Sequence, residues 1–259
     1  MDRIIYNSLQ LREIFHLEFL RWLNRKLNVK YYALKGGVNL RFFFNSFRYS
    51  EDMDLDAQWV KVEMLKEIVM KILQSISFLD SLKPFGIEKA IPPDINKAKQ
   101  TETTQRFKIH LITFAGEDLF TKVEFSRRGY AGGVVTQSVS ELILRLYKLP
   151  PLLIAHYDIQ SAITQKVEAL ATRSIIQARD IFDLYILSSQ YTPHTTGEIE
   201  INNAKLTKAY ENAFGISFEQ FRDTVISYLS SEDQATYNSP SLWDEIKLKA
   251  TNFIDELRK

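Results

Sequence analysis

Cysteine is absent from this chain of 259 residues, and no apolar run approaches the ~20 residues that a membrane-spanning helix needs. The lack of cysteine excludes a disulfide framework, a thiolate nucleophile and a zinc–thiolate site, and it is typical of a reducing compartment. Glycine and proline are scarce, with 9 and 7 residues, which excludes collagen-like repeats. The first residues lack the apolar core of a signal peptide. We therefore expect a soluble cytoplasmic protein without membrane contact.

The chain also lacks a strong net charge. Its 33 Lys and Arg residues balance 32 Asp and Glu residues, so no global basic field attracts nucleic acid or membrane. The halves differ, because residues 1–140 carry 21 basic and 16 acidic side chains, whereas residues 141–259 carry 12 and 16. A polyanion site must therefore be local, and the N-terminal part is the better candidate for it.

Hydrophobic spacing predicts an α/β fold for the first half of the chain. Residues 9–28, behind the capping residues Asn7 and Ser8, and residues 61–80 have the three- and four-residue steps of amphipathic helices. A further helix follows Gly36 and Gly37. The predicted strands are 31–34, 52–59, and the hairpin formed by 106–114 and 119–125. Residues 84–93, with three prolines and one glycine, are predicted to be a loop.

The second half of the chain is predicted to be almost wholly helical. Helical periodicity covers residues 159–172, 178–189, 199–213, 217–231 and 240–258. We place the change of domain near residues 140–150, which gives an N-terminal domain of residues 1–145 and a helical domain of residues 146–259.

One local pattern points to chemistry. Gly36 and Gly37 form a turn at the start of a helix, where unshielded backbone N–H groups bind phosphate. The strand that follows alternates Asp52, Asp54 and Asp56 with apolar residues, which puts all three carboxylates on one face. Two carboxylates at i and i+2 are typical ligands of a hard divalent cation that brings nucleotide phosphates with it. The pattern predicts phosphoryl or nucleotidyl transfer.

A third carboxylate on a neighbouring strand is needed if two metal ions are to be held about 3.5 to 4 Å apart. Glu124, between Val123 and Phe125, is the natural candidate. An alternative interpretation makes Glu124 a solvent-facing strand residue paired with Lys122 or Arg127. Two aspartate pairings fit the pattern, Asp52 with Asp54 and Asp54 with Asp56.

Two blocks of the sequence resemble the nucleotidyltransferases of the AbiEii/AbiGii toxin type, formerly grouped as domain of unknown function 1814. The first block runs from Leu34-Lys35-Gly36-Gly37 to Arg48-Tyr49-Ser50-Glu51-Asp52-Met53-Asp54-Leu55. The second contains Lys166, Ala169-Leu170 and Arg173, followed by Arg179-Asp180 and Asp183-Leu184-Tyr185. The resemblance covers residues 30–187, with both blocks in the family's order, and leaves residues 190–259 without a match.

The resemblance implies a polymerase-β-like nucleotidyltransferase domain with a mixed sheet, followed by a helical bundle domain, hence an α/β (α+β) protein. It implies Asp52, Asp54 and Glu124 as catalytic metal ligands, with Asp56 as the alternate ligand. It also implies nucleotide contacts, which are expected from Gly36, Gly37, Ser50, Lys166, Arg173, Asp180 and Asp183. Lys166 is further expected to act in catalysis by meeting the triphosphate from the helical domain.

The function that follows is a Mg²⁺-dependent nucleotidyltransferase with two metal ions, which moves an NMP from an NTP to an acceptor. The resemblance extends this expectation to a toxin of a type IV toxin–antitoxin or abortive-infection system, restrained by an antitoxin and acting on RNA, tRNA in particular. Two alternatives remain open. One is a nucleotide-binding regulatory module without turnover, and the other is a kinase-like phosphotransferase on the same scaffold.

Overall fold

The computed structural model describes residues 5–193 and 198–258. The chain divides into two compact units. The first unit contains Met1–Asn39 and Tyr49–Tyr157, and the second contains Leu40–Arg48 and Asp158–Lys259. The boundary after Tyr157 lies beyond the predicted change of domain, because residues 153–157 form a strand of the first unit's sheet.

The first unit combines helices with a sheet. Its helices are α1 (Ser8–Lys26), α2 (Gly36–Phe43, which continues into the second unit), α3 (Val62–Leu73), α4 (Ile76–Leu82) and α5 (Glu141–Leu146). Its strands are β1 (Tyr32–Lys35), β2 (Met53–Ala57), β3 (Ile87–Ile91), β4 (Thr104–Thr113), β5 (Asp118–Ser126), β6 (Val134–Ser138) and β7 (Leu153–Tyr157). Asn7 caps α1 by accepting from the Gln10 N–H, as its position before the apolar pattern predicts.

The seven strands form one mixed sheet in the order β3-β4-β5-β2-β1-β7-β6. Strand β2 runs parallel to β5 and antiparallel to β1, and β1 runs parallel to β7. The other neighbours are antiparallel. This mixed sheet confirms the predicted fold class.

One face of the sheet carries the core of the first unit. Along β4 and β5 every second residue is buried, including Phe107, Ile109, Val123 and Phe125. The intervening residues are half-buried or exposed, as expected for a strand with one face in the core. Helices lie on the buried face, since Gln105 of β4 donates to the Val62 carbonyl at the start of α3.

The second unit is helical. Its helices are α6 (Ile159–Thr172), α7 (Ala178–Ser188), α8 (Asn203–Phe214), α9 (Phe218–Thr224), α10 (Ser231–Tyr237) and α11 (Pro240–Glu256). Their buried faces share one apolar core, in which Phe221 and Trp243 stack with ring centroids 4.3 Å apart. Leu40 and Phe44 also belong to this core, which is why the segment of residues 40–48 groups with the C-terminal helices.

Several predicted elements differ from the structure. The helix predicted over 61–80 is broken after Leu73, because Ser75 caps a new helix. Residues 87–91, predicted to be loop, form β3, and β6 and β7 were not predicted. The helix predicted over 217–231 is interrupted by a 3₁₀ turn at Ile226–Tyr228.

Candidate active site

The candidate site lies where β1, β2 and β5 run side by side. Lys35 of β1 is directly opposite Asp54 of β2, and Asp54 is directly opposite Glu124 of β5. Arg106 of β4 continues the row opposite Glu124. Residues opposite each other in a sheet point to the same face, so this row brings two of the predicted acids together with two cations.

The chain before β2 is anchored by a buried polar contact. Thr121 of β5 donates its hydroxyl to the Glu51 carbonyl over 2.6 Å, and His16 Nε2 of α1 lies 2.9 Å from the same hydroxyl oxygen. Because the hydroxyl proton goes to Glu51, the imidazole is the donor in this contact. Ser50, predicted to bind nucleotide, donates its hydroxyl to the Asp52 carbonyl over 2.9 Å. These contacts fix the backbone that presents Asp52 and Asp54.

The acids of the site differ in their partners. Lys122 Nζ lies 3.2 Å from Asp52 Oδ2 and 3.8 Å from Glu124 Oε2, and Arg106 Nε lies 2.6 Å from the same Glu124 oxygen. Within residues 5–193 and 198–258, Asp54 has no ion-pair partner closer than 4 Å. Burial raises the pKa of Asp54, and the Glu124 and Asp52 carboxylates add to this effect against the opposing charges of Lys122 and Lys35. Asp54 is therefore the least compensated carboxylate of the row.

Asp56, the alternate metal ligand, is placed differently. Its side chain is buried, it forms an ion pair with Lys35, and it accepts a hydrogen bond from the Tyr157 hydroxyl. The Ala131 N–H in turn donates to Tyr157 Oη over 2.9 Å. Both carboxylate oxygens of Asp56 thus have partners that hold β1, β2 and β7 together.

The two glycines open α2 directly after β1, and both are half-buried. Gly36 has a φ of +69°, and a Cβ at this position would lie 3.2 Å from Asp54 Oδ2. Only glycine combines this left-handed backbone with so close an approach to a carboxylate. Asn39, one turn into the helix, donates to the Tyr157 carbonyl over 3.0 Å and fixes the start of α2 against β7.

The carboxylates of the site offer oxygen ligands to a divalent cation. Asp52, Asp54 and Glu124 offer the hard oxygen donors that Mg²⁺ prefers, and the uncompensated charge of Asp54 favours a cation. Across the part of the chain that the structure describes, however, no group of three or more His, Cys, Asp or Glu side chains is arranged to hold a metal ion. Mg²⁺ is commonly bound by one or two carboxylates together with substrate phosphates, and the residues present fit that mode.

The second sequence block forms an ion-pair network within the second unit. Lys166 of α6 contacts Asp180 at 3.0 Å and also contacts Asp183 of α7, and both carboxylates are fully buried. Arg173 lies 2.8 Å from Asp180 Oδ2, and Arg48 donates to both oxygens of Asp183. Burial alone would raise the pKa of Asp183, but Arg48 and Lys166 hold it below its usual range.

Comparison with known proteins gives the family. The family described as "Nucleotidyl transferase AbiEii toxin, Type IV TA system" matches residues 19–247, which is most of the chain. The protein is a member of the AbiEii family. The match confirms the resemblance found in the two sequence blocks and places the chain in a family of nucleotidyltransferase toxins of a toxin–antitoxin system.

Solved structures support the AbiEii-family fold. The nucleotidyltransferase toxin MenT4 (Rv2826c) from Mycobacterium tuberculosis H37Rv superposes with a TM-score of 0.61 at 16% identity, covering 96% of this chain and 84% of that one. JHP933 from Helicobacter pylori superposes with a TM-score of 0.56 at 16% identity, covering 98% of this chain and 93% of that one. A putative nucleotidyltransferase from H. pylori superposes with a TM-score of 0.55 at 18% identity, covering 98% of this chain and 96% of that one. A comparison with curated protein sequences gives no match.

Some residues of the site in this AbiEii-family chain were not predicted from the sequence. The register between strands brings three of them to the site, Lys35, Arg106 and Tyr157. The linear sequence pattern does not contain this register. Lys122 is the exception, because it lies two residues before Glu124 on the same strand face and was considered as a partner of that acid.

In the described residues, no helix combines the length and the apolar character needed to cross a membrane.

Proposed function

We propose that this AbiEii-family protein is a Mg²⁺-dependent enzyme that transfers an NMP from an NTP to a hydroxyl group of RNA, with tRNA as the expected acceptor. The observation that carries the proposal is Asp54. It is a carboxylate without an ion pair among the described residues, it lies beside Glu124 on the next strand, and a Cβ at Gly36 would lie 3.2 Å from its Oδ2. An acidic group that needs a cation is thus next to a backbone that suits a phosphate.

In this proposal the protein's main task is to bind and orient the nucleotide. The N–H groups at the start of α2 bind phosphate oxygens, because they have no partner within the helix and the helix dipole favours an anion there. Asp54, with Asp52 or Glu124 and the phosphates of the NTP, would hold Mg²⁺. Bound there, the metal would neutralise charge on the phosphates and lower the pKa of the acceptor hydroxyl. The acceptor oxygen forms a bond to the α-phosphorus, the bond from that phosphorus to the β-phosphate breaks, pyrophosphate leaves, and the acceptor proton goes to solvent.

Asp56 serves a different purpose in the proposal. Its two partners, Lys35 and Tyr157, make it a counter-ion that holds Lys35 beside the row of acids. This arrangement supports Asp52 and Asp54 as the metal-binding pair. For Lys166, Arg173, Asp180 and Asp183, contact with the nucleotide remains a proposal that is based on the family resemblance.

A labelling experiment tests the reaction. The purified protein is incubated with total RNA and each NTP, labelled at the α- or the γ-phosphate, with Mg²⁺ or with a chelator. We expect RNA to take up label from one or more α-labelled NTPs and only with Mg²⁺. Asp54→Asn, which keeps the side-chain shape, should abolish transfer, whereas Asp80→Asn on the exposed surface of α4 should not.

Other labelling patterns would support the two alternatives. Uptake from γ-labelled NTP alone would indicate a kinase-like phosphotransferase. Tight NTP binding with no uptake of either label would indicate a regulatory module.

Restraint by an antitoxin is proposed from the family, which is described as a type IV toxin–antitoxin system. Expression of the toxin alone should therefore arrest growth, and the Asp54→Asn variant should not.

A further inference from the structure

The exposed side of the hairpin formed by β4 and β5 differs from its buried side. We call it the open face and define it by Arg106, Lys108, His110, Phe120 and Lys122, which lie on one side of the two strands in directly paired positions. Lys108 and Phe120 are exposed and the other three are half-buried. Glu124 and Asp118 lie on the same side and pair with Arg106, Lys122 and His110. Lys108 is therefore the cation of the open face that has no ion pair among the described residues.

The cations of the open face extend into a cleft beside it. This cleft has a volume of about 420 Å³ and is lined by Pro93, Asp94, Lys97, Ala98, Lys99, Arg106 and Lys108. Lys97 lies 3.6 Å from Asp94. Lys99 and Lys108 are exposed, and neither has an ion-pair partner in residues 5–193 and 198–258. Two uncompensated ammonium groups beside one cleft favour an anionic ligand with more than one charge.

An aromatic pair lies further along the same face. The rings of His110 and Phe120 stack with centroids 4.6 Å apart and an interplanar angle of 14°, and Phe120 is 61% exposed. Asp118 Oδ1 lies 2.6 Å from His110 Nε2, which holds the imidazole in place under the phenyl ring. A flat, exposed ring with a fixed support is a platform on which a nucleobase stacks.

The open face leads directly to the acids of the candidate site. Arg106 contacts Glu124, which is directly opposite Asp54. Strands rise about 3.4 Å per residue, so the Lys108 pair lies roughly 7 Å from the row of Glu124, and the Phe120 pair lies roughly 14 Å from it. Cations, a stacking platform and the carboxylates are therefore aligned along one strand.

We propose that the open face, with Lys99, binds single-stranded RNA next to the reacting end of the acceptor. Lys99 and Lys108 bind its phosphates and Phe120 stacks on one of its bases. The inference rests on the proposed function and names the surface that delivers the acceptor. RNA fits this surface better than an acidic protein segment does. An acidic segment would pair with the ammonium groups but has no base to stack on the exposed Phe120 ring.

Direct binding tests the proposal without a catalytic readout. A short, fluorescein-labelled single-stranded RNA is titrated with the full-length protein, and anisotropy is followed at several salt concentrations. We expect Lys99→Glu and Lys108→Glu each to weaken binding about tenfold, and Lys99→Ala with Lys108→Ala to lower the salt slope by roughly 1.4, which is about 0.7 for each charge on a single strand. Phe120→Ala should weaken binding about fivefold or more. Lys71→Glu, an exposed substitution on α3 behind the sheet, should have less than a twofold effect.

The controls separate this inference from the proposed function. All of these variants should bind NTP as the unchanged protein does, and circular dichroism should show an unchanged fold. Loss of RNA binding in the open-face variants supports the inference even if no NMP transfer is found, a result by which only the proposed function fails. Equal RNA binding by the open-face variants and the unchanged protein overturns the inference even if transfer occurs. Equal competition by a poly-glutamate peptide of the same charge also overturns it.

Discussion

Replacement of Lys166 by methionine should destabilise the second unit through its buried ion pairs. Lys166→Met keeps the length of the side chain but removes the ammonium between Asp180 and Asp183, both of which are fully buried. Breaking a buried pair costs ~3 to 5 kcal/mol when a charge is left alone. Because Arg48 still contacts Asp183 and Arg173 still contacts Asp180, we expect a loss at the low end, about 3 kcal/mol.

The stability of the second unit is measured by tryptophan fluorescence. Its one tryptophan is the buried Trp243, so replacing Trp22 and Trp59 by phenylalanine lets urea unfolding report on this unit. Lys205→Met provides a matched control, since the pair of Lys205 with Glu168 is nearly half exposed on both sides and should contribute no more than ~1 kcal/mol. Equal effects of the two substitutions would refute the reasoning.

Acid unfolding gives a second measurement on the same variant. The lowered pKa of Asp183 stabilises the fold at pH values above the ordinary value of 3.8, and this contribution is lost as the pH falls below it. Removing Lys166 removes one cause of the lowered pKa. The variant should therefore unfold at a higher pH than the unchanged protein, and an identical acid transition would contradict this account.

The nucleotide role predicted for Lys166 is tested alongside. If its ammonium meets the triphosphate, Lys166→Met should weaken NTP binding by about 1.5 to 3 kcal/mol, with partial rescue by arginine. Arg48→Met disturbs the same network but keeps Lys166. A loss of affinity confined to Lys166→Met favours the nucleotide role, whereas equal losses in both variants favour a structural one.

Three more predictions concern the first unit. Asp54→Asn should abolish Mg²⁺-dependent NTP binding in calorimetry without lowering the free energy of unfolding, because it relieves repulsion from nearby acids. Asp56→Asn should lower the free energy of unfolding, because Asp56 is buried and pairs with Lys35 and Tyr157. Gly36→Ala should lower both stability and NTP affinity, while Gly129→Ala, with a φ of +86° but open space around it, should lower stability alone. Burial and the Arg12 guanidinium lower the pKa of His16 to about 3. Because the unfolded state binds the His16 proton at a higher pH than the folded state does, the free energy of unfolding should fall by about 1.4 kcal/mol per pH unit as the pH falls from 6.5 towards 3. His16→Gln should flatten that dependence in urea unfolding, and an unchanged slope would contradict the assignment.

The sequence predicted the acids of the site better than their partners. The alternation around Asp54 and Glu124 was sufficient to place both on strand faces, and the order of the two blocks gave the family. Arg106 contacts Glu124 and Lys35 lies opposite Asp54 through register between strands, which depends on the whole sheet. Their contribution was therefore not accessible from a linear pattern.

Short strands and buried charges were the other limits. Strand β7 has five residues and begins with a short apolar run, and periodicity cannot separate such a run from a buried helix segment. The spacing of Asp180 and Asp183 predicted a shared helix face, as observed, but did not reveal that this face points inward. Arg48, which contacts Asp183, is 135 residues away in the chain.

The position of residues 40–48 also affects how the chain can be cut. The polypeptide passes from one unit to the other after Asn39, after Arg48 and after Tyr157, so neither unit is a single continuous stretch. A fragment that begins at Asp158 lacks Leu40, Phe44 and Arg48, and thus loses part of its apolar core and one counter-ion of Asp183. A single proteolytic cut therefore cannot release two intact halves, and a split version of this protein would have to supply residues 40–48 to the C-terminal fragment.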